Sequence, residues 1–207
     1  MSFELWLSFF VASLVLVSIP GPTVLLVVSY ALGQGRKTAI ATVPGVTLGD
    51  FTAMTISLLG AGAVLAASAT LFTILKVIGA VYLVWLGYSL WKAGGSLGEV
   101  TADNASTNLK SMFFNSWLVT ALNPKGIVFF VAFVPQFVNP AEPVFTQFVL
   151  LEATFLFLAA SNVILWALAA GSLKRQFRKP GALKLINRIG GGFLMGAGVM
   201  TALVQRN

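Results

Sequence analysis

The 207-residue sequence contains no cysteine and no histidine. Without them the chain cannot form disulfides, use a thiol nucleophile or build a histidine-based triad, and it lacks the usual transition-metal ligands. The phosphate-binding pattern G-x-x-x-x-G-K-[ST] is also absent, which removes ATP hydrolysis by that route. The sequence therefore predicts no metal site, no cofactor and no enzyme.

Charged residues are scarce as well. They make up 9% of the chain, while hydrophobic residues make up 57% and the mean hydropathy is +0.91; a soluble domain has about 25% charged residues. Too few polar side chains exist to cover a surface facing water, so a lipid bilayer must surround most of the chain. Since about 20 apolar residues cross a bilayer once, the length leaves room for about six crossings.

The net charge of +7 does not indicate a nucleic-acid partner. The basic residues lie between apolar runs, where cytoplasmic membrane anchors occur. They form no basic face with interleaved aromatic residues, which a nucleic-acid surface would need.

The apolar runs predict an all-α integral membrane protein with one transmembrane domain. The first run, from Leu5 to about Leu32, is too long for a signal-peptide core of about 7–15 residues and is read as a retained helix. The six predicted spans, numbered 1 to 6, cover about 4–32, 38–65, 70–92, 111–134, 144–172 and 183–204.

The distribution of lysine and arginine predicts the orientation. Basic residues follow spans 1, 3 and 5, which places those loops in the cytoplasm and both termini outside. The residues concerned are Arg36, Lys37, Lys92, Lys110, Lys174, Arg175, Arg178 and Lys179.

The two halves of the chain share a pattern. The motif I-G-x-x-aromatic-L-x-x-x-G begins at Ile78 in span 3 and at Ile189 in span 6, and spans 1 and 4 each contain a proline break. Repeats of three helices must be inverted, with the binding site at mid-membrane between broken helices. The predicted plan is repeat 1 over about 1–93, a cytoplasmic linker over 94–110 and repeat 2 over about 111–207. The alternative is chance recurrence of small residues in a glycine-rich membrane protein.

The two breaks are the first candidate site residues: Pro20-Gly21-Pro22 and Asn123-Pro124-Lys125. Proline lacks the backbone N–H and costs about 3 kcal/mol or more inside a helix. Carbonyl groups freed in this way must face protein, water or a ligand. We interpret the breaks as unwound stretches lining a substrate path, with packing kinks as the alternative.

Asp50 lies in the middle of span 2 and is predicted to carry a proton that couples to transport. A carboxylate there costs about 2.5–3.5 kcal/mol on insertion scales, which makes it a functional candidate. Lys125 is also deep, and it could receive a substrate carboxylate, form a static ion pair with Asp50 or extend toward the interface. Asn123 can donate and accept hydrogen bonds.

Four further residues are second-rank candidates: Glu152, Asn162, Lys76 and Tyr82. Glu152 lies near the repeat equivalent of Asp50, but it and Lys76 fall close to the predicted outer surface, where an ion pair or extension into water explains them. Asn162 fits helix-to-helix hydrogen bonding as well as ligand contact. Tyr82 could line a path or simply pack.

The functional hypothesis is secondary active, proton-coupled export of a small polar solute. A metal-cation exporter is disfavoured by the missing histidine and cysteine. A membrane enzyme acting on lipid would need a nucleophile–base pair or a metal site, and a structural subunit would not need charges at mid-membrane.

The chain resembles the LysE/RhtB family of bacterial amino-acid exporters along its whole length. The resemblance lies in S-I-P-G-P-T at 18–23, G-x-x-x-G-D at 45–50, K-V-I-G-A-V-Y-L-V-W-L-G-Y at 76–88, N-P-K-G-I-V-F-F at 123–130, P-Q-F-V at 135–138 and I-G-G-G-F-L from 189. It implies six helices, the bacterial inner membrane, efflux of amino acids or close derivatives driven by the proton gradient, and homo-oligomers. It also implies functional roles for the two breaks and for Asp50.

Overall fold

The computed structural model describes residues 1–92, 108–139, 142–176 and 180–203. These residues form helices and connecting turns, with no strand among them. Most of the predicted linker, together with Arg178 and Lys179, lies outside the described residues. The side chains of Lys76, Lys174 and Arg175 do so too.

Predicted span 1 is a broken helix. It consists of α1 (Phe3–Ser18) and α2 (Pro22–Gln34), which are bent by 51° relative to each other. Pro20 has no N–H to offer the carbonyl of Leu16 four residues earlier, so the ladder stops there. Gly21 caps α2 in an extended conformation and Pro22 opens it, the first helical position at which proline is well tolerated.

Spans 2 and 3 correspond to α3 (Ala39–Ala67) and α4 (Ala69–Lys92). A 3₁₀ turn, Arg36–Thr38, precedes α3, and its entry residue Gly35 has φ = 86°. A glycine fits this left-handed conformation without steric cost.

Predicted span 4 is more irregular than a single interrupted helix. It begins with α5 (Leu109–Ala121) and α6 (Pro124–Val128), then continues as a π-helical segment, Phe129–Phe133, and a 3₁₀ turn, Val134–Phe137. The two arms of this span are bent by 41°. Spans 5 and 6 correspond to α7 (Val144–Gln176) and α8 (Pro180–Leu203).

Three helical stretches of the described chain are long and apolar enough to cross a membrane: Arg36–Val64, Thr73–Lys92 and Val144–Ala170. The number rises to five if each bent pair, α1 with α2 and α5 with the arm from Pro124 to Phe137, counts as one crossing. Helix α8 does not meet this criterion, and its first turns contain Lys184, Asn187 and Arg188. The described residues thus form a helical membrane protein in which α8 decides between five and six crossings.

The packing brings the two halves of the chain together. Helix α4 packs along α8, α3 packs against α5 and α7, and α7 also contacts α1 and α2. The main core cluster contains six buried phenylalanines in mutual contact with aliphatic residues: Phe9, Phe129, Phe130, Phe133, Phe137 and Phe155. Both broken helices are thereby held against α3 and α7, and this arrangement forms the pocket described below.

The N-terminus is tied to the segment before α7. The Met1 ammonium forms a salt bridge with Glu142, and this contact holds the pKa of the exposed carboxyl below its ordinary value. The start of repeat 1 and the turn between spans 4 and 5 therefore lie at the same end of the molecule.

Candidate functional site

A pocket lies where the two breaks meet α3 and α7. Its cavity volume is about 50 Å³, below the range of about 300–1,000 Å³ typical of small-molecule pockets, so it is a small cleft that would have to widen around a ligand. Five of the predicted site residues line it: Gly21, Asp50, Asn123, Lys125 and Asn162. The chain thus brings residues from both halves, about 100 positions apart, to one place.

Lys125 supports the broken end of α1. Its Nζ donates hydrogen bonds to the carbonyl oxygens of Leu16 at 3.1 Å and Ile19 at 2.9 Å. The Leu16 carbonyl is the one that Pro20 cannot serve. A cation at a helix C-terminus also complements the negative end of the helix dipole. Lys125 therefore satisfies groups that the break leaves exposed, and one of its three N–H donors is left for another partner.

Asn162, on α7, completes this support. Its Nδ2 donates to the carbonyl oxygen of Val17 at 2.8 Å. Three carbonyls at the end of α1, those of Leu16, Val17 and Ile19, are thus bonded by two polar side chains from the second half of the chain. Unsatisfied backbone groups in hydrocarbon cost several kcal/mol each, so the break depends on these side chains.

Asn123 organises the second break. Its Oδ1 accepts the Lys125 backbone N–H at 3.1 Å and so caps α6, while its Nδ2 donates to the Thr23 hydroxyl at 3.3 Å. The hydroxyl oxygens of Thr23 and Thr120 lie 3.2 Å apart. Asn123 is 8% exposed, and this network fixes its amide between the two breaks.

Asp50 presents its carboxylate to the pocket. Among the described residues no group donates a hydrogen bond to it, and Lys125 attracts it electrostatically without coming within salt-bridge distance. The close Asp50–Lys125 ion pair, left open by the sequence, is therefore not formed in this structure. A carboxylate that accepts no hydrogen bond is available for a proton or a cationic group.

The remaining walls divide into charged and apolar parts. Gly21, Thr23 and Val24 bring the N-terminal end of α2, with its partial positive charge, to the pocket beside Lys125. Asp50 provides the negative charge. The other lining groups are largely apolar, among them Val46, Phe155, Ala159 and Val163. The lining therefore offers groups of both charges and an apolar surface to a small ligand.

Several predicted residues lie outside the pocket lining. Pro20, Pro22 and Pro124 shape the breaks. Glu152 accepts a hydrogen bond from the Thr55 hydroxyl at 2.6 Å, between α3 and α7. Tyr82 packs on Trp85, with ring centroids 5.5 Å apart, on α4.

Thr23 and Thr120 were missed by sequence reasoning. Thr23 directly follows the Pro20-Gly21-Pro22 break, and that position is the signal that could have selected it. Thr120 stands in an ordinary helical run, where nothing distinguishes it.

Comparisons with known proteins identify the family of this chain. The sequence model of the LysE type translocator matches residues 14–205. This chain belongs to the LysE translocator family. A full-length relative from Vibrio cholerae serotype O1, described as an uncharacterised membrane protein, is 30% identical over 99% of this LysE-family chain and 100% of its own length.

Two other relatives of this LysE-family chain are named as efflux proteins. The homoserine/homoserine lactone efflux protein of Salmonella typhimurium is 28% identical over 98% of both chains. The leucine efflux protein of an Enterobacter species is 30% identical over 90% of this chain and 88% of its own. No solved structure matches the chain.

Proposed function

We propose that this LysE-family protein is a secondary active exporter of amino acids or close derivatives, and that it exchanges them for protons. The observation that carries the proposal is the Asp50 carboxylate, which accepts no hydrogen bond and forms no close salt bridge among the described residues, in a pocket shared with Lys125 and the end of α2. The relatives named for efflux of homoserine and leucine support the substrate class.

The pocket lining offers a partner for each of the two charges of an amino acid, and the cleft would widen to admit it. The ammonium group of the substrate would bind the Asp50 carboxylate. Its carboxylate would face the N–H groups at the start of α2, in the way that half-helix N-termini receive anionic groups in transporters, and the remaining Nζ donor of Lys125. An aliphatic side chain would lie against Phe155 and Val163.

Proton coupling follows from competition at Asp50. A protonated carboxyl group has no negative charge to offer a substrate ammonium. A proton and the substrate therefore compete for Asp50. Protonation of Asp50 from one side of the membrane would therefore release the substrate, and substrate binding would release the proton. Alternating access would make this exchange an export cycle.

Two inverted repeats and six crossings are part of the proposal. A methyl group on Gly87 would lie 2.5 Å from the carbonyl oxygen of Gly191, and one on Gly198 would lie 2.7 Å from that of Ala80. Gly87 and Gly198 occupy equivalent positions in the two halves, 111 residues apart, and so do Ala80 and Gly191. The second contact is therefore the first contact with the two halves exchanged. Reciprocal contacts of this kind are what a two-fold relation produces. With the lysine and arginine distribution, they support a bacterial inner-membrane protein with its termini outside and the 94–110 linker in the cytoplasm.

The test is Asp50→Asn in proteoliposomes with homoserine and leucine as probes. We expect the variant to lose uphill, pH-driven substrate movement while the protein stays folded, because the cost of a charge in the membrane is removed. Glu152→Gln is the matched control, since it neutralises a helical carboxylate that lies outside the pocket lining. An Asp50→Asn protein that still accumulates substrate uphill with the parent's proton flux would refute the coupling role.

A further inference from the structure

Two buried hydroxyl groups, on α3 and α5, lack the bond within their own helix that six other hydroxyls of the described residues make. Six serine and threonine side chains donate to the carbonyl oxygen four residues earlier in their own helix: Ser8, Ser18, Thr47, Thr52, Thr154 and Thr201. This local bond is generally available to a helical hydroxyl. Thr42 and Ser116 are both 0% exposed, yet neither has a hydrogen-bond partner within the described part of the chain.

The two hydroxyls lie on two helices that contact each other, Thr42 on α3 and Ser116 on α5. Ser116 faces α3 at Gly45, where a methyl group would come within 2.9 Å of its Cβ. Thr42 lies almost one turn before Gly45 on α3. Met112, Ser116 and Thr120 are the buried residues of α5, spaced one turn apart along a single face.

The buried face of α5 leads to the candidate site. Thr120 continues the face of Ser116 and contacts Thr23, which accepts a hydrogen bond from Asn123 in the pocket wall. In the other direction, Thr42 lies about one turn from the Arg36–Thr38 turn. Along α3 the eight residues from Thr42 to Asp50 cover about 12 Å. Polar groups therefore recur from the basic end of the bundle to the pocket.

The missing partners indicate a mobile polar ligand. A buried hydroxyl without a hydrogen bond costs about 1–3 kcal/mol, and two occur within one helical junction. Buried water commonly satisfies such groups, with about three hydrogen bonds for each molecule. We propose that Thr42 and Ser116 bind internal water molecules that form a file from the Arg36–Thr38 end of the bundle to the Asp50 pocket.

The file gives protons a route to Asp50 that does not require the pocket to open. Only this use of the water rests on the proposed function; binding of water at Thr42 and Ser116 does not. A third partnerless hydroxyl, Ser13 on α1, stands apart from this face of α5 and has no place in the file.

The first experiment measures access of water to the two positions. Because the chain has no native cysteine, Thr42→Cys and Ser116→Cys can be exposed to Ag⁺ in purified protein and then alkylated after denaturation. We expect Ag⁺ to block alkylation at both positions. Thr201→Cys is the matched control, since Thr201 is also 0% exposed but donates to Ala197 and accepts from Gln136. No reaction at Thr42→Cys and Ser116→Cys, or equal reaction at all three positions, would overturn the water file.

The second experiment measures the use of the file. Thr42→Val combined with Ser116→Ala should keep substrate counterflow, retain the parent's melting temperature and lose most of the pH-driven uphill accumulation. Thr47→Val, which removes a hydroxyl bonded within its own helix, should change none of these.

Full uphill accumulation by the double variant would overturn the proton route. Uphill accumulation by Asp50→Asn would instead remove the coupling proposal, while the Ag⁺ result would still decide on the water. If the double variant is destabilised, the Ag⁺ comparison decides alone.

Discussion

Lys125 is the residue on which the broken end of α1 most depends. Lys125→Met removes the donor to the Leu16 and Ile19 carbonyls. Among the described residues the Ile19 carbonyl then has no donor, while the Leu16 carbonyl keeps the Ile19 N–H at 3.3 Å. An unsatisfied buried acceptor costs about 1–3 kcal/mol, so we expect the free energy of unfolding to fall by about 1–3 kcal/mol. The measurement is the thermal or denaturant unfolding of the purified variant in detergent.

The double variant Asp50→Asn with Lys125→Met separates this role from an ion pair. If Lys125 served chiefly as the partner of Asp50, removing both charges would restore stability, as loss of one member alone leaves a buried charge. We expect no restoration, because the Ile19 carbonyl still lacks its donor. Recovery of the parent's melting temperature in the double variant would contradict the supporting role that the hydrogen bonds assign to Lys125.

The candidate site was predictable from the sequence in its unusual residues. Asp50, Asn123 and Lys125 stand out because charge, amide and proline are rare in apolar helices, and all three line the pocket. The partner of each could not be predicted. Lys125 bonds the end of α1, a contact between residues more than 100 positions apart, and only the packing of the two halves determines it. Thr120 could not be predicted either, because its contact with Thr23 arises only from this packing.

At the scale of the elements, the break between α1 and α2 is testable by restoring the missing donors. In Pro20→Ala with Pro22→Ala, the N–H of residue 20 can bond the Leu16 carbonyl, and α1 can continue into α2. Proline inside a helix costs about 3 kcal/mol, so we expect equal or higher thermal stability. We also expect strongly reduced export, because a continuous helix removes Gly21 and the free end of α2 from the pocket. Normal export at equal expression would make the break a packing kink.

The contact between α3 and α5 depends on glycine. A methyl group on Gly49 would lie 2.6 Å from the Thr120 Cβ and 2.8 Å from the Trp117 carbonyl oxygen. Gly49→Ala should therefore destabilise the protein by about 1–3 kcal/mol, the usual cost of overpacking. It should also weaken export, since Thr120 bonds Thr23.

Gly60→Ala is the control for this change, on the same helix. Nothing lies within 4 Å of the methyl group that it would add, and alanine stabilises a helix interior by about 0.5–1 kcal/mol relative to glycine. Unfolding of both variants in detergent is the measurement. Equal effects of the two substitutions would show that close contact with α5 is not what requires Gly49.

The helices themselves were largely predictable, because a long apolar run in a membrane has few alternatives to a helix. The ends of the runs are marked by the turn from Gly33 to Lys37 and by the prolines at 135, 140 and 143. The π-helical segment Phe129–Phe133 was not. In it, the next N–H, from Val134, bonds the Phe129 carbonyl five residues back. Its rings pack against Phe137 and Phe155, so tertiary packing rather than local propensity accounts for the change of winding.

At the scale of the whole molecule, α8 determines the architecture. Its apolar content alone does not qualify it as a crossing, yet it packs closely along α4 and makes the reciprocal glycine contacts described above. If α8 crosses the membrane, the chain has six crossings and both termini lie on one side. If it does not, the termini lie on opposite sides and the halves cannot be inverted copies.

Single cysteines distinguish these two arrangements, since the native chain has none. We expect an impermeant maleimide to label Ser2→Cys and Arg206→Cys in intact spheroplasts, because both ends should face outward. Lys37→Cys, in the exposed basic turn before α3, should react only after the membrane is permeabilised, as the positive-inside rule requires. Labelling of Arg206→Cys only after permeabilisation, with Ser2→Cys labelled before it, would establish an odd number of crossings. Such a result would remove the inverted repeat, and with it the two-fold relation by which the Gly87 and Gly198 contacts are explained. Export activity of each variant is measured alongside, so that only folded, functional protein is counted.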